Sequence, residues 1–312
     1  MDAIHTIWLT KPVTAYADWQ AREAAGADQR PFSARSIVQH QAMFEAFLRH
    51  LQTAGVSVAT FGSDHVAAFW ETPEAAGHSL STRTRYLQLL DRLGRHLVFS
   101  GVRADNPAAV FMQQAAWPTS DPEPVYLDEE ADGRLQAWTC PGVADDFLAV
   151  RNKAVVAMFL GAGITVAEGR AAVAADLHPE AASPYLRVPA HGSRDTRTVP
   201  LAAFSVTPLS SWLARRATLP IAGDLLFSAA GGEPVAVMTF GRIVRAALSA
   251  IGVSAPDMSP RILRNTFARR ALMAGHDRHD LSRLLGLASN RTVDRLTATT
   301  SAEAGPDSPP AR

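Results

Sequence analysis

Apolar residues recur every three to four positions along "SARSIVQHQAMFEAFLRHLQTAG", where Ile37, Met43, Phe44, Phe47, Leu48 and Leu51 fall largely on one stripe. That period predicts an amphipathic helix, with Ser33 as its N-cap and Gly55 as its stop. A second long stripe, Leu87, Leu90, Leu93 and Leu97, runs through "SLSTRTRYLQLLDRLGRHLVFSG", capped by Ser79 or Ser81 and ended by Gly101. Between them "DHVAAFWET" reads as a shorter helix. Neither period survives in "FMQQAAWPTSDPEPVYL", whose prolines and polar turn residues mark a linker.

Beyond the linker, "LDEEADGRLQAWT" and "DDFLAVRNKAVVAMFLGAGI" read as helices. In "YLRVPAHGSRDTRTVPL" apolar and polar positions alternate on both sides of a polar turn, which predicts two short strands in a hairpin. Helices follow over "AAFSVTPLSSWLARRA", "VMTFGRIVRAALSAIG", "RILRNTFARRALMAG" and "HDLSRLLGL". The stretch 297–312, rich in Thr, Ser, Pro and Ala, offers little to bury and is expected to be disordered. The expected organisation is a helical domain over 1–115, a linker over 116–125, and a mostly helical domain with a small hairpin over 126–296.

Composition narrows the class. With 47% hydrophobic and 19% charged residues over 312 positions, the chain is globular and long enough for two cores. No run approaches the roughly 20 apolar residues of a membrane span, and "MDAIHTIWLTKP" lacks the pattern of a signal peptide, so a cytoplasmic protein without a membrane partner is expected. Cys140 is the only cysteine, which excludes an intramolecular disulfide and a cysteine-based zinc site. The formal net charge is zero, yet lysine occurs only at Lys11 and Lys153. Arginine's planar fork suits phosphates and guanine edges, and a GC-rich genome would raise arginine as well.

An ordered set of motifs carries more. A helical block ending in "NP" is followed by "GAGITVAEGRAAVAADL", a hairpin ending in "RTVPL", "LLFSAAGGEPVAVMTFGRIVRAALSAIGV", "SPRILRNTFARRALMAG" and "LSRLLGLASNRT". In this order, over roughly residues 34–296, the chain resembles a tyrosine recombinase of the phage integrase family. The resemblance implies a mostly α fold. Its parts would be a SAM-like helical core-binding domain and a catalytic-type domain, α with a small β-hairpin, closing around duplex DNA. In active members two arginines and a histidine or its equivalent neutralise the scissile phosphate. A hairpin lysine protonates the leaving 5′-oxygen and a tyrosine attacks, because a phosphodiester gathering charge needs fixed donors and an in-line nucleophile.

Transferred position by position, these roles find few of their residues. The first arginine falls at Thr165. The hairpin turn "AHGSRDTR" has no lysine, and the guanidinium of Arg194 is a poor proton donor. The histidine of the His-x-x-Arg motif is Arg261, while Arg264 keeps the second arginine; Leu287 replaces a histidine or tryptophan, and the nucleophile's position holds Leu296. All four tyrosines, Tyr16, Tyr86, Tyr126 and Tyr185, lie upstream.

DNA contacts are expected from Arg83, Arg85 and Arg35 near helix starts, where phosphate is also favoured, and from Arg92 and Arg95. In the second domain Arg242, Arg245, Arg261 and Arg264 are the candidates; each competes with a purely structural use. His276, Asp277, His279 and Asp280 have the residue types of a metal site but fall at a turn between helices, so no metal and no cofactor is expected. "GAGITVAEG" follows a helix and lacks Gly-Lys-Ser/Thr, so it is not a phosphate-binding loop. The expected function is duplex-DNA binding without cleavage, as a repressor or as an accessory factor in recombination of a mobile element or plasmid. A second copy or an active recombinase subunit is the expected protein partner. The alternatives are an active recombinase using a partner's tyrosine and a protein–protein module.

Overall fold

In the computed structural model, residues 3–25, 31–114, 123–190, 194–229, 231–287 and 290–303 are described. Contacts divide the chain into two units, Met1–Asp121 and Pro122–Arg312. The residues 115–122, within the expected linker stretch, lie outside the described residues.

Unit 1 contains helices α1 (Ala3–Thr10), α2 (Pro12–Arg22), α3 (Ala34–Thr53), α4 (Ser63–Phe69), α5 (Leu80–Phe99) and α6 (Ala109–Gln114). The Ser33 hydroxyl accepts the Ser36 amide at 3.2 Å and starts α3; Ser79, not Ser81, does the same for α5 through Thr82. Both long helices run into a glycine with positive φ, Gly55 and Gly101, a conformation that a side chain would strain. Phe44, Phe47 and Leu51 of α3 pack with Leu90, Leu93 and Leu97 of α5 in one core. Leu87, expected inward, is half-buried at its edge, and Leu89 takes the buried place. Two helices were not anticipated: α1 and α2 add Trp8, Tyr16 and Trp19 to this core, with the Tyr16 ring stacked on Phe44 at 4.2 Å. The linker reading over Phe111–Gln114 needs correction, because α6 is helical there and packs on α5 through buried Ala108 and its neighbour Phe111.

Unit 2 contains α7 (Glu129–Trp138), α8 (Phe147–Ala162), α9 (Val166–Ala171), strands β1 (Leu177–His178), β2 (Tyr185–Val188) and β3 (Arg197–Pro200), then α10 (Ala203–Ala217), α11 (Val237–Ala250), α12 (Pro260–Met273), α13 (Arg278–Leu285) and α14 (Arg291–Glu303). From Ala154 to Ala162 every residue of α8 is buried, so it is apolar all round and sits centrally, against α10, α11 and α12. The sheet is antiparallel in the order β1-β2-β3, with Leu186 opposite Val199. β1 is an addition to the expected hairpin, and its two residues are too short to show a period. The disorder expected from Thr297 onward is also corrected: α14 continues to Glu303, anchored by buried Val293 and Leu296, and the Thr297 hydroxyl bonds back to the Val293 carbonyl at 3.0 Å. Residues 304–312 lie outside the described set. The whole is mostly helical with one small sheet, the expected fold class. Among the described residues no helix is long and apolar enough to cross a membrane.

Candidate functional site

Two of the positions that the resemblance assigns to chemistry, Thr165 and Arg264, come together in unit 2 where α9, β3, α12 and α13 meet. Thr165 is the N-cap of α9: its hydroxyl accepts the Glu168 amide at 3.4 Å, and Glu168 Oε2 accepts the Thr165 amide at 2.8 Å. This reciprocal box satisfies two amides that a helix start otherwise leaves open. The other carboxylate oxygen of Glu168, buried at 4% exposure, accepts from Arg197 Nη1 at 2.8 Å, with Arg194 Nη1 at 3.9 Å. Burial alone would raise the Glu168 pKa, but the bonds from Arg197 and Thr165 outweigh it and hold the carboxyl at about 2.

Three arginines then meet one helix end. Arg197 Nε donates to the Leu284 carbonyl at 2.7 Å, Arg264 Nη2 to Leu285 at 2.6 Å, and Arg194 Nε to Gly286 at 3.0 Å. These successive carbonyls are the open acceptors at the negative end of α13. Arg264 also donates through Nη1 to the Gly163 carbonyl, tying α12 to the end of α8. Burial pushes the Arg264 guanidinium down to about 10, Glu168 opposes this, and Arg194 and Arg197 add to it; it stays a cation at neutral pH. Gly286 closes α13 in the left-handed conformation at φ 62°, and a Cβ there would lie 2.7 Å from Arg197 Nη1.

The remaining positions are dispersed. Arg261 is exposed and donates to Asp257 at 2.9 Å. Leu287 is half-buried against the core, and Leu296 is 1% exposed within it. The tyrosines of this unit lie elsewhere: Tyr126 precedes α7 with Arg269 over its ring at 5.2 Å, and Tyr185 on β2 stacks on His178 at 4.5 Å. The turn residues His191, Gly192 and Ser193 lie outside the described residues. Asp277 caps α13 by accepting the amides of His279 and Asp280. Among the described residues no group of three His, Cys, Asp or Glu is placed to hold a metal ion.

The arginines expected at a DNA surface lie on α3 and α5 of unit 1 and on α11 and α12 of unit 2. On α5, Arg83 is half-buried, donating to the Ala76 carbonyl at 3.1 Å and lying 5.6 Å over Trp70, whereas Arg85 is exposed and without an ion pair among the described residues. Arg95 is held by Asp91 at 2.8 Å, and Arg92 lies over the Phe32 ring. Arg35 is in the first turn of α3, and its side chain lies outside the described residues. On α11, Arg242 and Arg245 are both exposed; Arg242 reaches Thr239 at 3.1 Å, and Arg245 has no ion pair among the described residues. Arg197 and Glu168 both stand in motifs that carry the resemblance, but their pairing, across 29 positions, is not legible from either motif.

Comparison with known proteins shows the same fold. The model of the phage integrase family matches residues 139–303. Tyrosine recombinase XerD of Brucella suis biovar 1 (strain 1330) is 26% identical over 280 residues, 86% of this chain and 88% of that protein. Tyrosine recombinase XerC of Shewanella amazonensis (strain ATCC BAA-1098 / SB2B) is 28% identical over 209 residues, 67% of each. Among solved structures, the XerH site-specific recombinase bound to a palindromic difH substrate superposes with a TM-score of 0.71 at 17% identity, over 96% of this chain and 91% of that one. A lambda integrase dimer bound to a COC' core site gives 0.68 at 14% identity, over 96% and 79%.

Proposed function

Since the chain belongs to the phage integrase family, we propose that it is a member that binds duplex DNA without cutting it, as a repressor or as an accessory factor in recombination. The observation that carries this reading is Leu296: at the position of the family's nucleophile stands an apolar side chain, 1% exposed and packed in the core. An alkyl group cannot attack phosphorus, and no other residue of α14 offers a phenol. Two further features support it. Thr165, at the place of a phosphate-binding arginine, serves as a helix cap, and Arg264 is bonded to two carbonyls of its own chain. Loss of one such charge donor costs on the order of 10²–10³ in rate, and loss of the nucleophile removes the covalent route.

DNA binding is supported by the family, by solved neighbours captured on DNA substrates, and by the exposed arginines Arg85, Arg242 and Arg245. The test starts with the duplex recovered by selecting bound genomic fragments, nicked to trap a covalent intermediate. The expected outcome is a retarded complex and no protein–DNA adduct after denaturation. Leu296→Tyr should remain without adduct, because the phosphate would still lack its first arginine and its proton donor. A phosphotyrosine peptide from the wild-type chain would overturn the reading, and so would the absence of any bound duplex.

A further inference from the structure

Unit 1 holds a cavity of about 870 Å³ between α3 and α5, with Trp19 and Phe32 among its lining residues. Small-molecule sites run from roughly 300 to 1,000 Å³. The charge in its wall is unbalanced. Arg92 is half-buried with its guanidinium 4.6 Å over the Phe32 ring, yet it makes no hydrogen bond or ion pair with any described residue. Arg85, exposed in the same wall, has no anionic partner among the described residues either. The nearby carboxylates are engaged: Asp91 accepts from Arg95 and from Asn106, each at 2.8 Å, and Glu23 faces His96 at 3.6 Å.

A cation drawn half out of water without a counter-charge is costly, and an arriving anion removes that cost. Burial accordingly lowers the Arg92 pKa, with Arg95 adding to the fall and Tyr16 and Asp91 opposing it. Facing Arg92 from α3, His40 stands edge-on to Phe32 at 4.7 Å, and its Nδ1 is buried without a partner among the described residues. Burial first, and Arg92 second, keep this imidazole neutral. The cavity therefore joins two guanidiniums without an ion pair among the described residues to two aromatic rings in its wall.

We propose that this cavity binds a small organic phosphate, an anion on a flat apolar body of nucleotide size. Arg92 and Arg85 hold the phosphate, and the Trp19 and Phe32 side chains of the wall receive the apolar part. Because Arg85 and Arg92 are both also candidate DNA contacts, bound ligand and bound duplex exclude each other; this second statement rests on the DNA-binding reading, the first does not.

The test uses the full chain without DNA, titrated separately with guanosine monophosphate, adenosine monophosphate and inorganic phosphate, and read by calorimetry and by the change in tryptophan fluorescence. The expected result is saturable binding of at least one mononucleotide, tenfold or more tighter than inorganic phosphate. Arg92→Gln should weaken it at least tenfold. Arg85→Gln, at an exposed position that does not disturb the core, should weaken it at least threefold and decides the matter if Arg92→Gln fails to fold. Equal, weak binding of nucleotides and phosphate that ignores both substitutions overturns the proposal. So does a cavity that responds only to duplex DNA. Loss of DNA binding in a separate assay would remove the competition and leave the nucleotide titration standing.

Discussion

The arginines of the two units are held in opposite ways. On α5 of unit 1, Arg85 stands in solvent and Arg92 lies on an aromatic ring, neither with an anionic partner among the described residues. Around α13 of unit 2, Arg194, Arg197 and Arg264 bond to three successive carbonyls, and Glu168 sits among them. Both sets are cationic, but in the second most of the donors are taken up by main-chain carbonyls and Glu168, with Arg197 Nη2 buried and without a partner among the described residues. Positive charge in this chain is thus partly used to hold the fold. The group that the family resemblance assigns to the scissile phosphate is, in this chain, occupied by its own backbone.

The strongest way to break this contrast is to remove the buried anion at the centre of the unit 2 cluster. Glu168→Gln leaves Arg197 facing a neutral amide and two like charges, and should destabilise the protein by about 3–5 kcal/mol, measured by urea unfolding. Its titration gives the same information without mutation. The carboxyl lies at about 2 when folded against an ordinary 4.5, so its contribution is fully present above pH 4.5 and is lost as pH falls towards 2. The wild type should lose stability across that window faster than Glu168→Gln does.

Arg264→Ala comes next. It strips partners from the Gly163 and Leu285 carbonyls and should cost at least about 2 kcal/mol, since each buried acceptor left open is worth roughly 1–3 kcal/mol. An Arg264→Ala protein of wild-type stability would remove the distinction drawn between the two sets. The smallest effects on stability belong to the open arginines. Arg85→Ala and Arg245→Ala should each shift stability by no more than about 0.5 kcal/mol, while lowering the slope of log affinity against log salt by about 1 for each phosphate no longer neutralised. A change in unfolding free energy larger than the change in DNA affinity would place them with the structural set.

How far the sequence could be read depended on the range of the signal. Helices with a stripe, a serine cap and a terminal glycine were legible in extent, as α3 and α5 show, although on α5 Leu89 and not Leu87 proves buried. Elements whose reason for folding lies elsewhere were not: α1 and α2 have irregular patterns, separated by Pro12, and owe their burial to aromatic rings stacking on α3 and α5. The candidate site was legible as a set of substitutions, but not as a network of bonds. Thr165 read as a missing arginine, although Thr-x-x-Glu over 165–168 is itself a local capping signal. That Arg264 binds the ends of α8 and α13 could not be read at all, because its partners are main-chain atoms 101 and 21 positions away.

The convergence on the end of α13 also governs how unit 2 can come apart. Its three arginines arrive from the loop before β3, from β3 itself and from α12, so none of these can swing away from α13 without breaking a bond that another shares through Glu168 or a neighbouring carbonyl. Fraying is thereby coupled: the hairpin, α12 and α13 form one opening unit, and their amides should exchange with deuterium at a common free energy instead of in sequence from the α13 end. A region of the chain that the resemblance associates with reaction is thereby expected, in dynamic terms, to open as a whole or not at all.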